Sequence, residues 1–234
     1  MSRSFYGGRT IPELIVRELL HFLPATRIVV ATSREPGDVS LVRLAARLGV
    51  RCSRGSQHDV LRRVLDAVRD DAADYVVRVC GDNPFLRATL VIKLIESVQQ
   101  RGCDYASYIL PDGTPAILSH FGLFAEIIRR TTLEQIEQNA FTLRHREHLT
   151  SRILDYSKDF DCNFLEIPSV LRDVSNLRLT VDTESDFEVA QDIYHEVVTA
   201  YGPHFSVLEL VEIVRSRPDL QTKMAQQIAE NEKR

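Results

Sequence analysis

The sequence lacks the cysteine patterns of disulfide-rich and zinc-binding proteins. Its four cysteines lie far apart, with no CxxC pair and no Cys/His pair at zinc-finger spacing: Cys52, Cys80, Cys103 and Cys162. This spacing argues against a disulfide framework and against a structural zinc site. We therefore expect reduced, buried thiols.

Three other features are missing. The 29 basic and 33 acidic residues are spread along the chain, so no basic stripe suited to nucleic acid stands out, and we expect any bound nucleotide to be a small molecule. No apolar run approaches the roughly 20 residues that cross a bilayer, and residues 1–9 lack the apolar centre of a signal peptide. We expect no membrane partner and a cytoplasmic location. No G-x-G-x-x-G follows a strand, which argues against a dehydrogenase-like dinucleotide domain.

What is present is an alternation of helical and strand patterns in a chain of 234 residues, 44% of them hydrophobic. Apolar periodicity predicts helices and buried β-runs in turn. The predicted helices are 11–22, 41–48, 60–68, 90–98, 121–133, 145–156, 184–201 and 207–215, and the predicted strands are 28–32, 50–54, 75–79, 105–110, 164–167 and 177–181. Alternation at this spacing predicts an α/β fold, a Rossmann-like and mostly parallel sheet with helices on both faces.

The predicted domain covers residues 1–220, and the turn-rich stretch from Pro111 interrupts its alternation. We expect a small arm there, near 111–146, and a polar carboxyl-terminal helix or tail over 221–234. Ligands of such folds bind at the carboxyl ends of the parallel strands, so the candidate site residues are sought there.

The first candidate is Asp82, which follows the predicted strand 75–79 in the segment Gly81-Asp82-Asn83-Pro84. A carboxylate at this position can hold a hard cation such as Mg²⁺. An aspartate before Asn-Pro also suits a turn or a helix start without any function.

The second candidate is Asp182, in an acidic cluster between the predicted strand 177–181 and the next helix. Two carboxylates from two strand ends could share one metal, which would shield the charge that builds on phosphate oxygens. The alternative is structural, with Thr183 as N-cap and with Glu184 and Asp186 complementing the helix dipole.

Two further segments carry polar side chains that suit ligand binding. Residues 54–61 form a loop after a predicted strand, in which a glycine admits a ligand close to the backbone and Asp59 could anchor the loop to the following helix. Near a helix start, Arg146 and His148 could contact a carboxylate or phosphate. An ordinary capped turn explains the first segment equally well, and a solvated helix face explains the second.

Taken in order, these segments resemble the acylneuraminate and 3-deoxy-manno-octulosonate cytidylyltransferase superfamily, and are most similar to its spore-coat-polysaccharide branch. The matching segments are 7–9 (Gly-Gly-Arg), 28–33 (Ile-Val-Val-Ala-Thr-Ser), 54–61, 81–84, 111–113 (Pro-Asp-Gly), 146–150 (Arg-Glu-His-Leu-Thr) and 177–183 (Leu-Arg-Leu-Thr-Val-Asp-Thr).

The resemblance implies transfer of CMP from CTP to a sugar acid or related acceptor, in surface polysaccharide biosynthesis. It implies Mg²⁺ held by Asp82 and Asp182 as the catalytic and metal-binding pair, and acceptor contacts from Arg146 and His148. It also implies a homodimer formed through the arm. The residues implied to bind the nucleotide are Arg54, Gly55, Ser56, Asp59 and Gly81.

The sequence departs from this family pattern in two places. Members open with a central strand and a Gly/Arg/Lys-rich loop that cradles the triphosphate, whereas only six residues precede Gly7 here. Either an upstream start supplies that strand, or the flanking strands 28–32 and 75–79 pair directly, or the chain is a silent remnant that binds a nucleotide-sugar or a partner protein. The branch also places an acidic stretch similar to Leu-Asp-Val-Glu-Val after Pro-Asp-Gly, where residues 114–118 of this chain carry no carboxylate.

Overall fold

A computed structural model describes residues 3–139, 142–174 and 176–230. Its strands are β1 (Val29–Ser33), β2 (Arg51–Gly55), β3 (Tyr75–Arg78), β4 (Tyr105–Ile109), β5 (Glu126–Arg129) and β6 (Cys162–Glu166). Its helices are α1 (Ile11–Phe22), α2 (Val39–Leu48), α3 (Val60–Ala67), α4 (Ala88–Arg101), α5 (Arg130–Gln138), α6 (Leu143–Glu147), α7 (Leu149–Asp155), α8 (Glu184–Tyr201), α9 (Val207–Ser216) and α10 (Pro218–Glu230). The α/β class is confirmed.

Local sequence explains where several of these helices begin and end. Thr10 caps α1 by accepting a hydrogen bond from the backbone N–H of Glu13. Gly49 ends α2 in the left-handed conformation, at φ 68°. Thr183 and Asp186 form a capping box at the start of α8, so the capping role considered for them is real.

The strands form two sheets. In one, β1 and β2 run parallel. In the other, the order is β3-β5-β4-β6, with β4 and β6 parallel and β5 antiparallel to both of its neighbours. Helices α1 and α3 link the sheets, since α1 contacts α2 and α4 while α3 contacts both strands of the first sheet and α5 and α6 beside the second.

Direct pairing of strands 28–32 and 75–79, one of the alternatives offered above, does not occur among the described residues. There β1 pairs with β2 alone and β3 with β5 alone, so one edge of each strand carries no ladder. Val30 of β1 and Val77 of β3 nevertheless pack against the same hydrophobic cluster. The two sheets therefore share a core although β1 and β3 do not pair.

Two predicted elements were wrong. The predicted helix 121–133 is the strand β5 followed by α5, because a run buried on both sides of a sheet is continuously apolar and does not show the strand period. The predicted strand 177–181 is an extended segment outside both sheets, held by single backbone bonds such as that from Leu179 N–H to the carbonyl of His120 (2.8 Å).

The carboxyl-terminal region is helical through α10, in which Leu220 and Met224 are buried against the core. Residues 231–234 of the expected tail and 140–141 of the expected arm lie outside the described residues. No helix in the described ranges combines the length and apolar character needed to cross a membrane.

The open edge of β1 gives a prediction for amide exchange. Arg51 N–H donates to the carbonyl of Ile28 (3.3 Å) and Arg34 N–H to that of Gly55 (3.1 Å). Because donors alternate along a parallel strand, the N–H groups of Val30 and Thr32 face β2 and that of the exposed Ala31 faces away from it. Hydrogen exchange followed by NMR should find Ala31 faster than Val30 and Thr32.

The control for this measurement is β4, which has neighbours on both sides at Tyr105 and Ala106. Both of those amides should be protected. Equal protection of Ala31 and its two neighbours would contradict the open edge.

Candidate functional site

The two acidic segments predicted to share a site lie side by side. The N–H of Val181 donates to the carbonyl of Asp82 at 3.0 Å. Asp82 also lines a small cavity of about 40 Å³ together with Asn83 and Thr180. The segment after β3 thus contacts the segment before α8. Asp82 and Asp182 are therefore carried by neighbouring segments of the chain.

The Asp182 carboxylate accepts a hydrogen bond from a buried arginine. The side chain of Arg178 is 1% exposed, and its Nη2 donates to Asp182 Oδ2 at 3.0 Å, as does the hydroxyl of Thr180 at 3.2 Å. The Asp182 side chain is 38% exposed. Its carboxylate is therefore fixed in direction while remaining accessible to a ligand.

Arg178 itself is anchored by Asp186. Its Nε and Nη2 donate to the two oxygens of that carboxylate at 2.6 and 2.7 Å, and its Nη1 lies 2.6 Å from Nδ1 of His120. Burial raises the pKa of Asp186, but the hydrogen bonds from Arg178 and Thr183 outweigh it and hold that pKa below its ordinary value. Sequence reasoning missed Arg178, although a charged residue inside an apolar, strand-like run was a visible signal.

The loop after the 3-10 turn at 116–118 closes one side of this site. Gly122 has φ 62°, and a Cβ added there would come within 2.9 Å of the backbone of Leu179 and Thr180. The position therefore requires glycine, both for its conformation and for the close approach. This residue was also missed by sequence reasoning.

The predicted nucleotide loop is held by hydrogen bonds from the side chain of Arg54 and by close packing at Gly55. Arg54 donates to the carbonyls of Ser33 (3.0 Å) and Glu35 (3.2 Å) across the end of the first sheet. Gly55 lies where α3 passes, since a Cβ there would sit 2.9 Å from Cγ of Arg63. The loop is thus packed tightly against the helix that follows it.

The remaining loop residues cap α3. The hydroxyl of Ser56 accepts from the N–H of Asp59 (3.0 Å), and Asp59 accepts from the N–H of Arg62 (3.0 Å). Gly81, by contrast, is exposed in the turn that carries Asp82. The capping interpretation of Ser56 and Asp59 is correct, and their contact with a nucleotide stays a prediction.

The two residues predicted to contact the acceptor, Arg146 and His148, differ in their surroundings. Arg146 donates to Asp59 Oδ2 at 2.8 Å, which ties α6 to the nucleotide loop. His148 is exposed at the junction of α6 and α7. The structure thus joins one predicted acceptor residue to one predicted nucleotide residue.

A carboxylate lies further along the chain than the acidic stretch expected after Pro-Asp-Gly, at the start of β5. Residues 123–127, Leu-Phe-Ala-Glu-Ile, share the leucine and the glutamate of the Leu-Asp-Val-Glu-Val pattern. Glu126 is fully buried and accepts from the hydroxyls of Tyr105 (2.9 Å) and Thr150 (2.7 Å). Burial and the charge of Glu126 raise the pKa of Tyr105 well above its ordinary value.

The donor set at Asp82 and Asp182 suits Mg²⁺. Two carboxylates are hard oxygen ligands, and Mg²⁺ in proteins characteristically takes one or two carboxylates and completes its shell with water and substrate phosphates. Within the described ranges no group of three or more His, Cys, Asp or Glu side chains is placed to hold a metal. A cation here would therefore depend on the substrate for its remaining ligands.

A family model described as Cytidylyltransferase matches residues 5–161. The chain belongs to the cytidylyltransferase family. It is 29% identical over 197 residues to the spore coat polysaccharide biosynthesis protein SpsF of Bacillus subtilis, covering 84% of this chain and 78% of that protein. It is 34% identical over 183 residues to protein MJ1063 of Methanocaldococcus jannaschii, covering 78% and 72%.

Solved structures show the same fold. A cytidylyltransferase from Leptospira borgpetersenii superposes with a TM-score of 0.78 at 24% identity, over 94% of this chain and 92% of that one. A CMP:2-keto-3-deoxy-manno-octonic acid synthetase in complex with CTP superposes with a TM-score of 0.57 at 13% identity, over 81% and 89%. The expected superfamily and its spore-coat branch are confirmed, and so is the nucleotide-diphospho-sugar transferase type of fold.

Replacing Gly122 by alanine should destabilise the protein by about 2 kcal/mol or more, because strain at positive φ adds to a clash with backbone. Urea unfolding measures the change. Gly113→Ala is the matched control, since Gly113 has φ 86° but open space around it, and should cost only about 1 kcal/mol. Equal costs for the two variants would contradict the close approach.

The lowered pKa of Asp186 predicts a pH dependence of stability. A carboxyl group with a depressed folded-state pKa contributes stability above its unfolded value, near 3.8, and loses that stability as the pH falls through the folded value. Asp186→Asn should therefore be less stable than the parent at pH 7. The difference should shrink below about pH 4, as measured by urea unfolding across pH. A difference that is constant from pH 7 to pH 2 would rule out this linkage.

Proposed function

We propose that this cytidylyltransferase transfers CMP from CTP to a sugar acid or related acceptor and releases pyrophosphate. The observation that carries the proposal is the backbone bond from Val181 to Asp82, which brings the two acidic segments together. Family membership supports the use of CTP, and the likeness to SpsF supports a role in surface polysaccharide biosynthesis.

The proposed reaction leaves the protein mainly with binding and orientation. An acceptor hydroxyl oxygen forms a bond to the α-phosphorus while the bond to the pyrophosphate oxygen breaks, so the two oxygens must lie in line. Asp82 and Asp182 would hold Mg²⁺, which neutralises charge on the phosphate oxygens when bound. Arg178 fixes the direction of Asp182 for this task.

Other residues of the chain would hold the two substrates. Arg54, Gly55 and Ser56, together with Asp59 and Gly81, form the proposed nucleotide side. Arg146 and His148 form the proposed acceptor side, and the Arg146–Asp59 ion pair would link the two sides. The homodimer through 111–146 and the cytoplasmic location stay predictions, although the exposed Leu118 and Leu143 favour a covered arm.

A second candidate is a silent protein that binds a nucleotide-sugar or a partner protein. The unpaired edges of β1 and β3 among the described residues favour it, because the family resemblance implies a triphosphate loop that follows a strand in the middle of the sheet. Such a protein would show a melting-temperature shift with CMP or a CMP-sugar and none with CTP and Mg²⁺.

The deciding experiment is release of pyrophosphate from CTP in the presence of Mg²⁺ and a panel of sugar acids. Asp82→Asn and Asp182→Asn should each lower the rate by about a hundredfold or more, because each removes charge that holds the cation. Removal of divalent metal by EDTA should have the same effect. Asp70→Asn, on the exposed turn before β3, is the matched control and should leave the rate unchanged.

Silence of the parent protein across the panel would reject transferase activity for those acceptors. Full activity of either aspartate variant would reject the assignment of the metal pair.

A further inference from the structure

Two arginines beside the site have donors that nothing in the described chain uses. Arg78 is the last residue of β3, four positions before Asp82, and Arg63 lies in the second turn of α3. Neither belongs to the nucleotide, acceptor or metal residues proposed above.

Arg78 is anchored through one nitrogen. Its Nη1 donates to Oε1 of Glu126 and lies 3.4 Å from the hydroxyl of Thr150, while its Nε and Nη2 have no hydrogen-bond partner in the described ranges. The side chain is 24% exposed. The guanidinium is therefore fixed through one terminal nitrogen, and its other two nitrogens remain available to a ligand.

The anchor is itself rigid. Glu126 is fully buried, and the hydroxyls of Tyr105 and Thr150 donate to its carboxylate. Removing one member of a buried ion pair is costly, so Glu126 both requires Arg78 and holds it in place. Burial opposes the charge of Arg78, but Glu126 outweighs it and raises the pKa of the guanidinium.

Arg63 is held in a similar way, by backbone alone. Its Nη1 donates to the carbonyls of Ser56 (2.5 Å) and Gln57 (3.1 Å), and its Nε and Nη2 have no partner among the residues the structure describes. No carboxylate forms an ion pair with it there. Asp38, whose charge acts on Arg63, already accepts three hydrogen bonds from Thr32 and Ser33.

The two arginines lie on elements that pack together, since Val60 and Val64 of α3 and Val76 of β3 pack against one hydrophobic cluster. Arg63 follows Val60 by one helical turn, and Arg78 lies on the same face of β3 as Val76. Burial lowers the pKa of Arg63, and the positive charge of Arg78 lowers it further, against the opposing effect of Asp38. Like charges held side by side by their anchors are stabilised when an anion lies between them. Gly55 admits the Arg63 side chain against the end of β2, because a Cβ there would sit 2.9 Å from Cγ of Arg63.

We propose that Arg63 and Arg78 form an anion subsite that binds phosphate groups of the nucleotide. This inference rests on the proposed function, which supplies the nucleotide. Phosphate fits better than a single carboxylate, since a phosphate group offers several charged oxygens to two separate forks of N–H donors. The subsite lies at the carboxyl ends of β2 and β3, where α/β folds bind their ligands.

The test is calorimetric titration with four probes: inorganic pyrophosphate, CTP, cytidine, which carries no phosphate, and a sugar acid. In Arg63→Gln, pyrophosphate and CTP should bind about tenfold more weakly or worse, because a charge-assisted hydrogen-bonding partner is lost. Affinity for cytidine should not change. Arg43→Gln, an exposed arginine on α2, is the control of equal charge change and should bind all probes like the parent.

Arg78 needs a paired variant, because Arg78→Gln alone would leave Glu126 buried without its cation. The double variant Arg78→Gln/Glu126→Gln keeps the buried cluster neutral, and Glu126→Gln alone is its reference. The double variant should bind pyrophosphate and CTP about tenfold more weakly or worse than that reference. Arg78→Lys, which retains charge but loses the fork, should fall between.

Unchanged binding of pyrophosphate and CTP in both arginine variants would overturn the proposal, as would failure of the parent to bind pyrophosphate. It would equally be overturned if a sugar acid, and not pyrophosphate, lost affinity in these variants. Arginine-dependent pyrophosphate binding by a protein that releases none from CTP would leave the subsite standing and reject the proposed function. If the protein released pyrophosphate from CTP but bound pyrophosphate equally well without these arginines, the proposed function would stand and the subsite would be rejected.

Discussion

The geometry of the candidate site depends on one buried cation, Arg178. It lies in the core with almost no exposure, and such a charge is stable only when it is paired and hydrogen-bonded. Asp186, in the first turn of α8, forms the ion pair that stabilises Arg178. Asp182 accepts a further hydrogen bond from the same guanidinium. The helix start, the extended segment before it and the exposed carboxylate are therefore set by one cluster.

The same principle operates on the other side of the site, with the charges reversed. Here the buried group is a carboxylate, Glu126, surrounded by donors from β3, β4 and α7. In both clusters a fully buried ion fixes a partly exposed ion of opposite sign. The protein thereby holds charged groups at a crevice without leaving them to find their own orientation, which suits a reaction in which positioning provides most of the rate.

Much of the fold could be predicted from the sequence, because the helix caps and the buried β-runs are local signals. Thr10 before α1, Gly49 after α2 and Val29–Ser33 all behave as local chemistry requires. The strand β5 could not be recognised, since Ile127 and Ile128 are buried in a sheet with neighbours on both sides and show no alternation. The division into two sheets depends on long-range pairing, to which no local pattern refers.

The candidate site could be predicted only as far as its residues carry local signals, as was true of the fold. Asp82 and Asp182 were identifiable because each follows an apolar run, and Asp59 because it precedes a helix. Arg178, Glu126 and Gly122 were not, since their significance lies in contacts with residues remote in sequence. The carboxylate of Glu126 could have been sought by allowing the loop after Pro-Asp-Gly to vary in length, as surface loops do.

The close packing at Gly55 has a consequence for motion. With the backbone of the loop in contact with Arg63, and with Ser56 and Asp59 bonded into the first turn, the loop and α3 form one mechanical body. Ion pairs from Arg62 to Glu137 and from Asp59 to Arg146 extend that body to α5 and α6. A movement of this loop would consequently carry the start of α3 with it, rather than proceed as the folding-over of a flexible flap.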